Sequence, residues 1–164
     1  MHKRILIAYD GSQASRYALD ECLTFDPRDA EIHIVAVIHD LAVYTLAGEY
    51  VPALAFEQDA KLAEKDLEAA QLYLAAHGLP ARTHAATGDP IEVIARLAKE
   101  LDIDLLILGH KREQSFAARW WKGSTGFGLM DRVHCSILIA RGEDTEKDKD
   151  RGSNSPEQTP PLQS

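Results

Sequence analysis

The chain is short of cysteine, of aromatic residues and of positive charge. Its 164 residues include two cysteines, Cys22 and Cys135, which form no CxxC pair. That excludes a disulfide scaffold or a cysteine-rich zinc site, and free thiols in a reducing cytoplasm are expected. Aromatic residues make up 7% of the chain. Eighteen Lys and Arg face 26 Asp and Glu, a net charge of −8. Broad non-specific nucleic-acid binding needs a basic surface to neutralise phosphates, so that class is disfavoured. No stretch approaches the roughly 18 apolar residues of a membrane span. Met1-His2-Lys3-Arg4 leads into an apolar run too short for a secretory core, with no A-x-A-like site after it.

Catalytic signatures are also missing. There is no GxxxxGK[ST] phosphate loop and no GxSxG elbow. Seven histidines, at 2, 33, 39, 77, 84, 110 and 134, show no metal-ligand spacing. His33 falls inside a strand-like run and reads as a core or face residue. "DGSQAS" lacks the glycine pair of an AMP-forming ATP pyrophosphatase loop. No general base or nucleophile stands out, so enzyme activity is not expected beyond slow ATP hydrolysis.

What is present is a regular alternation of elements. With 45% hydrophobic residues, the chain is long enough for one domain with a sizeable core. Residues 4–9 are a continuous apolar run broken by Asp10-Gly11-Ser12, as expected of a buried parallel strand and a turn. Residues 12–25 read as a helix with Ser12 as N-cap, ended by Asp26-Pro27. Residues 31–38 form a second strand. Residues 40–55 read as a loop with a short helical turn. Over 56–77, Ala63, Leu67, Ala70 and Leu74 form one helical stripe, and Gly78 and Pro80 end it.

Residues 82–86 are a weak third strand. Asp89, Pro90 and Glu92 mark a helix start. Residues 104–108 are a fourth strand ending at Gly109, 124–133 a short helix, and 136–140 a fifth strand bounded by Ser136 and Ala140. From 142 to 164 the composition turns polar, and this tail is expected to be disordered. The chain thus divides into a folded domain, 1–141, and a tail. Strands alternating with helices predict a doubly wound α/β fold with a five-stranded parallel sheet.

In such a sheet, ligands bind beyond the carboxyl ends of the strands where strand order reverses. Asp10, after the first strand, could accept hydrogen bonds from a ribose diol. Gly109, after the fourth, would let a ligand approach the backbone. Gly123-Ser124-Thr125-Gly126 would open a helix whose free N–H groups suit a phosphate. Each feature has a plainer reading as a turn or a cap, but the three could meet at one crevice.

The blocks "RILIAYDGSQASRYALDECL", "EIHIVAVIHD", "ATGDPIEVIARLAKELDIDLLILGH" and "GSTGFGLMDRVHCSILIAR", in this order and spacing, resemble the universal stress protein family over residues 3–141. The resemblance implies the doubly wound α/β fold with strand order 3-2-1-4-5, of the adenine nucleotide α-hydrolase-like type. It implies a homodimer through the last strand, Ser136 and Ala140 at its ends, and an unknown protein partner. One branch of the family binds ATP or AMP, with or without Mg2+, and another binds none. The nucleotide pattern is Gly, two residues, Gly, nine residues, then Gly-Ser or Gly-Thr. Gly109 fits its first glycine, and Gly123-Ser124 fits its end one residue late, continued by Thr125 and Gly126. Asp10 matches the ribose contact. Ala8, Tyr9 and Val37 match positions framing the adenine, and Leu108 lies beside the base.

The second glycine is replaced by Arg112. A Cβ there disfavours positive φ, although Lys111 or Arg112 could place a cation on a phosphate. Two functions therefore stand side by side: a stress-response regulator that binds ATP or AMP as a dimeric switch, and an interaction module that binds none. Trp120, Trp121 and Phe116 read as loop or dimer packing.

Overall fold

A computed structural model describes residues 2–38, 53–110 and 129–142. Its elements run β1 (Arg4–Ala8), α1 (Gln13–Thr24), β2 (Glu31–Ile38), α2 (Ala53–Ala76), β3 (Ala81–Thr87), α3 (Pro90–Glu100), β4 (Leu105–His110) and β5 (Ser136–Arg141). The strands form one parallel sheet ordered β3-β2-β1-β4-β5, the order the family resemblance implies. Strand order reverses between β1 and β4.

The central strands β1, β2 and β4 are apolar along most of their length because both faces are covered, with His33 of β2 the buried polar exception among them. On one face Ile5, Ile7, Tyr9, Ile32 and Ile34 pack against Ala18, Leu19 and Cys22 of α1 and Leu67, Ala70 and Leu74 of α2. The expected stripe on α2 is thus its buried face. On the other face Leu6, Ala8, Val35, Leu106 and Leu108 pack against Ile91, Val93, Ile94 and Ala98 of α3. Leu129 and Val133 complete this second layer. Burial pushes the Cys22 thiol up to about 11, so it stays protonated inside its layer.

Both helix starts read from sequence are built as expected. Ser12 caps α1 and accepts from the Ser15 N–H at 3.2 Å. Asp89 caps α3 and accepts from the N–H groups of Ile91 and Glu92 at 3.0 and 3.1 Å, with Pro90 in the first turn. Differences are at element ends. Residues 53–55, read as loop, open α2, and β3 spans seven residues, because pairing with the whole of β2 from Ile32 to Ile38 extends it. The expected helix over 124–133 lies outside the described residues up to 128; Leu129 and Met130 are helical. Residues 40–52 and the tail beyond Gly142 also lie outside them.

Candidate functional site

The carboxyl ends of β1 and β2 open onto a cavity of about 170 Å³. Its walls are Tyr9 and Asp10 after β1, Ala36, Val37 and Ile38 of β2, and Asp59, Leu62, Ala63 and Asp66 of α2. Drug-sized ligands usually occupy ~300 Å³ or more. This hollow therefore fits one ring system or one sugar, with the rest of any larger ligand lying outside it.

The strand-to-helix turn after β1 sets the shape of the site. The Tyr9 N–H donates to the Val35 carbonyl at 2.8 Å, which holds the ends of β1 and β2 together. Asp10 then leaves the sheet, and its Oδ1 accepts from the Ser12 N–H at 3.0 Å. Gly11 has φ of +73°, and a Cβ on it would overlap the Asp66 carboxylate. Glycine thus satisfies both the left-handed turn and the close approach of α2. Since Ser12 caps α1, the Asp10 carboxylate is not consumed by the helix and remains exposed at the cavity.

The electrostatics of the hollow are acidic. Asp10, Asp59 and Asp66 all line it. Burial raises the Tyr9 phenol, opposed by Arg16 and reinforced by Asp66 and Asp10, so Tyr9 keeps its proton as a donor. A wall of carboxylates accepts from hydroxyl and amino groups and repels anions. A ligand carrying phosphate would place its sugar or base here and its phosphates elsewhere.

Of the residues singled out in the sequence, Tyr9, Asp10 and Val37 meet at the cavity. Ala8 and Leu108 are packed into the α3 layer instead. Gly109 has a structural duty: a Cβ there would overlap the carbonyl of Ala14, so its small size admits the first turn of α1 against β4. Lys111, Arg112, Gly123, Ser124, Thr125 and Gly126 lie outside the described residues. Sequence reading missed Asp59, Leu62, Ala63 and Asp66. The available signal was the spacing of 59, 63 and 66, which puts two aspartates on the face of the apolar stripe.

Comparison with known proteins agrees with this architecture. The model of the universal stress protein family matches residues 1–141. A curated relative, universal stress protein YxiE of Bacillus subtilis, is 31% identical over 149 residues, covering 86% of this chain and all of its own. Among solved structures, a universal stress protein in complex with cAMP aligns with a TM-score of 0.62 at 22% identity. The match covers 85% of this chain and 97% of that one. An Arabidopsis thaliana family member with AMP bound aligns with a TM-score of 0.58 at 14% identity, covering 93% and 97%. At those identities the structural matches speak for the fold.

Proposed function

The chain belongs to the universal stress protein family, and on that premise we propose that it binds an adenine nucleotide, ATP or AMP, and acts as a dimeric stress-response switch. The observation that carries this reading is the cavity where Tyr9, Asp10 and Val37 converge at the carboxyl ends of β1 and β2. Asp10 accepts from the ribose hydroxyls, and the base lies along Val37. The phosphates run away from the carboxylates, past Gly109 toward Lys111, Arg112 and the turn from Gly123 to Gly126, with Mg2+ joining a triphosphate. Further support comes from the AMP and cAMP held by family members of the same fold.

Nucleotide occupancy acts as a switch only by favouring one of two states. The second copy of the chain docks on β5, whose Ile137 and Leu138 are half-buried and whose Ile139 is exposed. An apolar edge strand is a template for pairing. The cytoplasm is the proposed compartment, in keeping with two free cysteines. Among the described residues no helix is long and apolar enough to cross a membrane.

A specific departure favours a second reading. Arg112 and the extra residue before Gly123 leave a family fold that acts through protein contacts alone. Calorimetric titration of nucleotide-stripped protein with ATP and with AMP separates the two. The first reading expects a Kd on the order of micromolar that Asp10→Ala weakens. No heat with either nucleotide, from folded dimeric protein, supports the second.

A further inference from the structure

Two histidines meet on the sheet, away from the cavity. His33 of β2 is almost wholly buried, at 1% exposure. Its Nδ1 lies 2.9 Å from Nε2 of His84 on the edge strand β3. The ring centroids are 5.1 Å apart. The two residues are not register partners, since His33 faces Arg82 and His84 faces Val35. The bond therefore runs diagonally across the β2–β3 ladder, as a side-chain tie between neighbouring strands.

The surroundings favour one tautomer of the pair. The other nitrogen of His33, Nε2, lies 3.5 Å from Oε1 of Glu31. Glu31 is in turn anchored by Arg82 at 2.7 Å. A carboxylate calls for a donor, so His33 carries its proton on Nε2 and presents Nδ1 as an acceptor. His84 then donates from Nε2. One added proton can go to Nδ1 of His84 and leave the bond intact. A second has to enter at Nδ1 of His33, between the rings, and no hydrogen bond survives there.

We propose that the His33–His84 pair is an acid-sensitive clasp that ties edge strand β3 to β2 and opens when both rings are protonated.

The charges around the pair make that second proton expensive. Burial lowers the proton affinity of His33, followed by the neighbouring His84, Arg82 and Arg4, with Glu31 alone opposing them. Burial and then Arg82 lower that of His84. On α3, which packs on this face, the residues facing the sheet are Ile91, Val93, Ile94 and Ala98, while Glu92, Arg96, Lys99 and Glu100 are exposed. The closed state thus binds fewer protons than the open one. Its stability is full above the ordinary imidazole value of 6.5 and falls as the pH drops below it. The two rings titrate as a unit. Beyond the clasp, β2 runs on to Ala36–Ile38 in the cavity wall, still paired with β3 up to Thr87. Opening loosens that wall, whatever occupies the cavity.

Amide hydrogen exchange of the full chain tests the clasp, compared at about pH 7 and about pH 4.5 after correction for intrinsic exchange. Each unit by which closure depresses a proton affinity is a tenfold change in the opening equilibrium. Protection over 81–87 should therefore fall about tenfold more than over 105–110. His84→Gln keeps a donor for His33 but does not titrate, and should abolish that excess. Parallel losses in β3 and β4, or an excess that survives His84→Gln, would overturn the proposal. Should the variant not fold, imidazole resonances of the wild type decide. The clasp requires His33 and His84 to titrate together and below about 6.5, and independent midpoints at or above that value rule it out.

Discussion

Two turns at the carboxyl edge of the sheet place an aspartate between a strand and a helix, and they use it differently. After β3, Asp89 is the N-cap of α3 and accepts from two backbone N–H groups. Glu92 in the same turn pairs with Arg132, and Glu92 also suits the positive end of the helix. After β1, the cap of α1 is Ser12, and among the described residues the Asp10 carboxylate holds only the exposed Ser12 N–H, through one oxygen. Capping ties a carboxylate to its own backbone. Moving the cap two residues on leaves the Asp10 carboxylate facing a cavity. The same residue type is structural in one turn and available for a ligand in the other.

The comparison breaks most severely if the α1 turn loses its seat. Gly109 has no Cβ because the Ala14 carbonyl occupies that space. Gly109→Ala forces α1 away from β4, at a cost of about 3 kcal/mol. Thermal unfolding should drop by roughly 6–12 °C. A drop under about 2 °C would mean that the first turn of α1 is not seated on β4. Next comes the ligand itself. Asp10→Ala should weaken ATP or AMP binding by about tenfold, the worth of a hydrogen bond to a charged acceptor, as read by calorimetry. Asp89→Ala should leave that affinity unchanged and cost about 1 kcal/mol of stability, the usual loss of an N-cap. An equal effect of the two substitutions on binding would erase the distinction between the turns.

Much of this was legible in the sequence because it is local. The apolar runs of β1, β2 and β4, the cap residues Ser12 and Asp89, and the α2 stripe depend on residues within a few positions of one another. The strand order came from the family resemblance rather than from periodicity. The α2 wall of the cavity was not legible. The spacing of Asp59 and Asp66 gains meaning only once the fold sets α2 over the ends of β1 and β2. Gly109 reads as a place for a ligand to approach the backbone, and the structure adds that a Cβ on it would meet the chain's own helix. His33 reads as a core or face residue, and it is buried. Its bond to His84 depends on the register of β2 with β3, which no local pattern encodes.

The smallest expected effect is also the sharpest test of the comparison. If Asp10 is not a structural residue, Asp10→Ala should change folding stability by less than about 0.5 kcal/mol. The Ser12 N–H would lose its partner, but the bond is exposed and water replaces the carboxylate at little cost. The α1 cap survives, because Ser12 still accepts from the Ser15 N–H and Ser15 Oγ still donates to the Ser12 carbonyl at 2.9 Å. Removing one of the three carboxylates that line the cavity also relieves repulsion with Asp59 and Asp66. Chemical denaturation of the ligand-free protein reads this directly. A loss as large as that of Asp89→Ala would show that both aspartates hold their turns, and that the cavity borrows Asp10 from the fold. A negligible loss, beside the fall in nucleotide affinity, identifies Asp10 as a residue kept for what it binds.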